Sequence, residues 1–258
     1  MAIRGIIFDL GWTLLDFNGD IPATATQRAR DVGDFLASNG FDLDGAAVFA
    51  TYREKMRGLW EAGAALNYEY PARLAMLRAL RRYLRPKEAD RLARGALEAS
   101  FDSVVRQWQL YPDTITTLSA LRAAGYRLGC ISNTNDGAHV WRLVDRFGLR
   151  PWLSPIYTSE EIGLRKPHPA IFRMLLDEWE MPPTEVIMVG DTLNADVLGA
   201  HNAGMCAVWI DRGPVNPWSN NEEAVDHIRP DATIGQLGGL LDLLRDGWEC
   251  RRCGKGVR

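Results

Sequence analysis

The chain has 258 residues, of which 47% are apolar and 24% charged, with a formal net charge of -3. That is the composition of an ordinary globular protein, long enough for one large domain or two modest ones. The near-neutral balance argues against nucleic acid or an anionic membrane as partner. No stretch approaches the ~18 apolar residues of a membrane span. The first residues enter a strand pattern at once, without a signal peptide's basic and apolar regions. The expectation is a cytoplasmic protein, and four cysteines, two of them in apolar stretches at Cys130 and Cys206, fit a reducing compartment.

The elements follow in chain order. Ile3–Leu10 is a short apolar run that delivers Asp9 to a polar turn, as a buried strand does at the mouth of an α/β sheet. From Phe17 to Tyr111 no strand-like run occurs. Apolar residues recur at helical spacing in 26–38, 46–60, 70–83 and 87–108, which predicts four helices. Asp113 is the expected N-cap of a helix that Gly125 ends. Arg127–Ser132 reads as a second buried strand, followed by Asn133 and Thr134. Pro169 opens a helix running to Trp179, directly after Lys166-Pro167-His168. Glu185–Gly190 is a third strand, Asn194–Ala203 a helix closed by Gly204, and Ala207–Asp211 a fourth strand. The irregular stretch 213–230 reads as a surface loop beside the site, and a last helix lies near Leu237–Leu244. Strand-helix alternation implies a doubly wound, mostly parallel sheet with helices on both faces.

Five side chains have positions that suit chemistry. Asp9 at a strand end can attack an electrophile or bind a cation, where an isolated Asp would merely cap a helix. Asp191, placed by the tight turn at Gly190, points where Asp9 points, and two hard oxygens suit Mg2+. Asp196 lies in the first turn of the next helix, either in or behind a cation site, or as a helix-start acid. Ser132 and the backbone N–H groups after it can hydrogen-bond a transferring group. Lys166 can set an ammonium beside the nucleophile. His168, between two prolines, reads as turn structure.

In this order Asp9, Ser132-Asn133-Thr134, Lys166-Pro167 and Gly190-Asp191-Thr192 with Asp196 resemble the haloacid dehalogenase-like hydrolase superfamily, in its helical-cap branch. The resemblance implies a Rossmann-like core over 1–16 and 112–246, an all-helical cap over 17–111 that closes on a small molecule, and a tail over 247–258. It implies a phosphatase of a small phosphorylated substrate, with Mg2+ as cofactor and an aspartyl-phosphate intermediate. Asp9 would be the nucleophile, and Ser132 and Lys166 the groups stabilising the phosphoryl group in transfer. Thr13 and Asn133 would contact substrate. Asp9, the backbone carbonyl of Gly11, Asp191 and Asp196 would form the metal site.

Gly11 departs from the pattern, because most phosphatases of this superfamily place a second aspartate there as general acid and base. Such help is worth ~10²–10⁴ in rate. Three outcomes stay open: replacement by another group such as Asp16 or Glu61, restriction to good leaving groups such as acyl phosphates and sugar 1-phosphates, or very slow turnover in a mainly binding protein. A 2-haloacid dehalogenase is the alternative enzyme, since halide leaves unprotonated. The tail holds Cys250-Arg251-Arg252-Cys253, which looks like one knuckle of a zinc ribbon. Structural zinc wants four ligands, so a full site would need two chains, and the stretch is read as a flexible tail.

Overall fold

A computed structural model describes residues 2–213, 216, 217, 219, 221–246, 248 and 250. Among these the first half of the chain runs β1 (Gly5–Phe8), β2 (Leu15–Phe17), α1 (Ile21–Ser38), α2 (Gly45–Ala64), α3 (Ala72–Leu80), α4 (Pro86–Arg106) and β3 (Trp108–Leu110). It continues through α5 (Thr114–Ala123), β4 (Arg127–Ser132), α6 (Gly137–Arg146), β5 (Ile156–Thr158), α7 (Ser159–Ile162) and α8 (Pro169–Trp179). The last part holds β6 (Val186–Gly190), a π turn at Leu193–Val197 leading into α9 (Leu198–Asn202), β7 (Cys206–Ile210), α10 (Asn221–Ala224), β8 (Ala232–Ile234) and α11 (Gly239–Arg245).

These elements fall into two compact units. One comprises Met1–Asp16, Leu110–Asn133 and Phe147–Arg258, the other Phe17–Gln109 and Thr134–Arg146. The short strands β2 and β3 pair as a two-stranded sheet where the chain passes between units.

The first unit is built on a six-stranded parallel sheet in the order β5-β4-β1-β6-β7-β8. Ile6, Ile7 and Phe8 of β1 are wholly buried, as are Val186, Ile187, Met188 and Val189 of β6. Continuous apolar strands of this kind suit a sheet covered on both faces. β1 lies between β4 and β6, with Gly5 opposite both Arg127 and Val186. Residues just past the C-terminal ends of these three strands therefore converge at the point where the winding reverses, the usual ligand position in an open α/β sheet.

The four strand expectations hold with shifted ends, but β2, β3, β5 and β8 were not visible in the sequence, and β3 corrects the reading of 17–111 as free of strand. Each is only three residues long, too short to show a period. Asp113 is a correction: its side chain makes no cap hydrogen bond to α5. It accepts instead from Gly238 N at 3.0 Å, tying α5 to the approach to α11. The expected helix over 194–203 opens as the π turn. Cys206 and Cys250 are joined as a disulfide, with Cα atoms 6.3 Å apart. Cys250 is thus held against β7 rather than lying in a loose tail, and Cys253 is outside the described residues.

In the second unit, four helices match the four predicted. Asp20 and Asp44 cap α1 and α2, accepting from Ala23 N at 2.7 Å and Ala46 N at 2.8 Å. Its core is Val32, Leu36, Val48, Met76, Leu80, Leu92 and their neighbours. The segment 134–146, expected with the sheet, groups with this unit. In it His139 stacks on Phe101 at 4.6 Å between ring centroids. Arg28 lies over the Phe101 ring, 4.3 Å from its centroid, and donates to Ser100 O at 3.1 Å. No helix among the described residues is long and apolar enough to cross a membrane.

Candidate active site

Strand ends bring the predicted residues together. Asp9 directly follows β1 and its N–H donates to Val189 O of β6 at 2.9 Å, which fixes its backbone between strands. Asp191 directly follows β6. Carboxylate oxygens of Asp9, Asp191 and Asp196 lie within 4.8 Å of one another. Gly190 is needed here for space: a Cβ on it would fall 2.2 Å from Asp196 Cγ. The carboxylate occupies the volume a side chain would take, which explains the strand's glycine end better than turn conformation does.

Lys166 reaches into the cluster from the loop before α8. Its Nζ stands 2.5 Å from Asp9 Oδ1 and 2.7 Å from Asp196 Oδ1, with its side chain 1% exposed. The same ammonium donates to Ile131 O at 2.7 Å. Asp196 uses its other oxygen, Oδ2, to accept from Thr192 N at 2.9 Å. It therefore holds both the ammonium and the turn that presents Asp191.

The electrostatics follow from burial. Desolvation raises Asp9 to about 6, with Asp196 adding to the rise and Lys166 opposing it. Asp191 is raised well above the usual carboxylate range, first by burial and then by Asp9 and Asp196. Lys166 is raised above the ordinary lysine value because the two facing carboxylates outweigh its burial. Three carboxylates against one ammonium leave two negative charges (3 - 1) when all are ionised. Oxygen donors with that residual charge fit a hard divalent cation.

Asn133 faces the backbone of Lys166. Its Oδ1 accepts from Lys166 N at 2.8 Å and its Nδ2 donates to Lys166 O at 2.9 Å. Both polar ends of the side chain thus contact that backbone, which positions the start of the loop carrying Lys166. Ser132 is buried at the end of β4. Thr13 Oγ1 is buried with no hydrogen-bond partner among the described residues. Its carbonyl accepts from Arg212 at 3.2 Å, and that guanidinium lies 3.5 Å from the Tyr111 ring centroid. Gly11 bridges to Leu15, and Trp12 between Gly11 and Thr13 sits at φ 53, a left-handed conformation uncommon for a large side chain. Asp16 accepts from the Tyr111 hydroxyl at 3.3 Å. Glu61 lies on α2 in the other unit and is exposed. His168 caps α8, its Nδ1 accepting from Ala170 N at 3.2 Å.

Two site residues were missed. Asn216 Nδ2 donates to Asp191 Oδ2 at 2.8 Å, and Asn221 Nδ2 to Asp191 O at 2.7 Å. Asn221 Oδ1 also accepts from Leu193 N at 2.8 Å. Asn216 lies in the loop after β7 and Asn221 opens α10, in a stretch whose sequence shows turn composition but no period by which to assign a residue a direction.

Residues 3–204 match the family model described as haloacid dehalogenase-like hydrolase. The chain belongs to this family. It is 30% identical over 244 residues to a glyceraldehyde 3-phosphate phosphatase of Methanopyrus kandleri, covering 95% of this chain and 98% of that one. It is 28% identical over 251 residues to a phosphoglycolate phosphatase of Vibrio vulnificus, covering 94% and 96% respectively. A solved 2-haloacid dehalogenase of Pseudomonas syringae pv. Tomato superposes with a TM-score of 0.71 at 26% identity, covering 95% of this chain and 99% of that one. The protein is accordingly a haloacid dehalogenase-like hydrolase with a Rossmann-like parallel sheet.

Proposed function

We propose that this hydrolase cleaves small phosphate monoesters with the help of Mg2+. The observation that supports this most is the pair of contacts from Lys166 Nζ to Asp9 and Asp196, set beside Asp191. Such a cluster offers a carboxylate nucleophile, a fixed cation beside it and oxygens with residual negative charge. The similarity to a glyceraldehyde 3-phosphate phosphatase and a phosphoglycolate phosphatase supports the same substrate class.

Asp9 and Asp191, with the carbonyl of Gly11, would hold the metal, and Asp196 would orient Lys166 and the Thr192 turn behind them. Bound there, the metal supplies charge neutralisation for the phosphoryl oxygens. Asp9 attacks phosphorus in line, forming a carboxylate–phosphorus bond as the bond to the leaving oxygen breaks. Lys166, the Ser132 hydroxyl and the Thr13 hydroxyl stabilise charge on the transferring group. Water then hydrolyses the acyl phosphate, returning Asp9 and releasing inorganic phosphate. Because Gly11 offers no acid, the leaving oxygen takes its proton from solvent or from the substrate itself. The reading therefore favours leaving groups of low basicity, acyl phosphates and sugar 1-phosphates among them.

Phosphate release should be measured from a panel of such esters, with Mg2+ and with chelator, for wild type and Asp9→Asn. Release that needs both metal and Asp9 is expected, fastest for acyl phosphates. Equal release by Asp9→Asn would remove the mechanism. Gly11 and the likeness to a dehalogenase favour one second reading, displacement of halide from carbon by Asp9. Chloride release from 2-chloropropionate, without phosphate release from any ester, would establish it instead.

A further inference from the structure

At the edge of the sheet opposite to Asp9, three ligand-type side chains meet. Cys206 begins β7, Asp231 immediately precedes β8, and Cys250 follows α11. Their sulfur and carboxylate atoms lie within 4.8 Å of one another. Cys206 is wholly buried and Cys250 is 7% exposed. The Asp231 side chain is 9% exposed, and its Oδ2 lies 2.9 Å from His201 Nε2 and accepts from Ala207 N at 2.9 Å.

A disulfide accounts for the two sulfurs, but it needs no carboxylate. Burying a carboxylate against two sulfurs, with an imidazole holding that carboxylate from behind, is the arrangement expected around a thiophilic cation. We propose that in the dithiol form of the protein Cys206, Cys250 and Asp231 bind one Zn2+, with His201 orienting Asp231. The disulfide is the oxidised, metal-free form of the same site. A dithiol reductant interconverts them: it gives two electrons and two protons to the Cys206–Cys250 bond and closes to its own disulfide. Each cysteine thiol then loses a proton as its sulfur binds the metal. Tetrahedral zinc holds two sulfurs about 3.7 Å apart, given Zn–S bonds of about 2.3 Å. Opening the S–S bond to that distance needs only small side-chain shifts, because both cysteines lie against the same carboxylate. Three protein ligands leave one position for a further donor. The site lies away from the catalytic cluster, so its role is to fasten the segment after α11 to the sheet.

The untagged full-length chain should be purified under dithiol reductant, loaded with Zn2+ or Co2+, and desalted. One zinc per chain is expected, retained by Asp191→Asn, which disables the other carboxylate cluster. Cobalt should give a thiolate-to-metal charge-transfer band, which an oxygen-only site cannot produce. Cys206→Ser and Cys250→Ser should abolish that band, and His201→Gln should weaken zinc 10–100-fold in chelator competition. A reduced wild-type chain that shows no thiolate band with cobalt overturns the proposal, as does zinc retained in full by Cys206→Ser. The cobalt spectrum needs no variant, so it decides the matter even if a substitution prevents folding.

Discussion

Asn133 grips the backbone of Lys166 on both sides, accepting from its N–H and donating to its carbonyl. The residue after β4 thereby sets the height of an ammonium that belongs to another loop. Asn133→Ala should leave the fold intact but free the start of that loop. The expected loss is about 10²-fold in kcat, the scale set by ~1 Å misplacements, with KM little changed. The unpaired backbone groups should also cost about 1–3 kcal/mol. Steady-state kinetics with a thermal melt would test both, and unchanged kcat would show that Lys166 is held by other means.

Among the described residues Lys166 is the one positive group contacting Asp9 and Asp196, so Lys166→Met leaves like charges buried together. Removing one partner of such a pair typically costs 3–5 kcal/mol. A melt should show that loss, and added Mg2+ should recover more stability in Lys166→Met than in wild type. Pairing it with Asp196→Asn should cost less than the sum of the two single changes, because the second removes a charge the first exposed. Strict additivity in denaturant titrations would count against this coupling.

Gly190→Ala drives a methyl group into Asp196 Cγ. Overpacking of this sort costs about 1–3 kcal/mol, and displaced Asp196 should release Lys166 and lower turnover. Combining it with Asp196→Gly vacates the contested volume, since Asp196 Cβ itself would lie 2.6 Å from the new methyl group. Chemical denaturation should then find the double variant no less stable than Asp196→Gly alone; an extra penalty from Gly190→Ala in that background would refute the steric account.

His139 is held neutral, lowered to about 3 chiefly by burial and further by the positive charges of Arg28 and Arg142. The unfolded chain binds this proton near pH 6.5, while the folded one does not until about 3. Stability should therefore fall as pH drops through that window, by up to about 1.4 kcal/mol per pH unit. His139→Gln removes this contribution, and urea titrations from pH 7 to 4 should show a shallower decline for it than for wild type.

Much of this was legible from the sequence. Four long strands announce themselves as apolar runs because both faces of the sheet are covered, and Asp9, Ser132, Lys166 and Asp191 stand at their ends or in the loops beside them. Residues whose roles depend on neighbours distant in sequence were not legible. Asp113 looks like a cap, but Gly238, 125 residues away, claims its side chain. Asn216 and Asn221 lie in a stretch without a period, so no rule aims them at Asp191. Cys206 reads as a small apolar residue until Cys250 and Asp231 are set beside it. Asn133 was placed at the site, but its grip on the Lys166 backbone was not legible, since a turn asparagine's hydrogen bonds depend on which loop comes past it.

β1 is made first yet is flanked by strands made much later: Gly5 waits for Arg127 on one side and Val186 on the other. At synthesis rates of ~5–20 residues per second, the second of these neighbours emerges roughly 10–40 s after the first strand. The helices of 17–109 emerge in between and make local contacts, which form quickly. On the ribosome the helical insert should thus gain protection while the strand that leads to Asp9 is still unpaired. Pulsed hydrogen exchange on chains stalled near residue 150 should find protected amides in α1 to α4 and open ones at Ile6 to Phe8. Among the strands of this sheet, the earliest in the chain is therefore the one most dependent on the later ones being made.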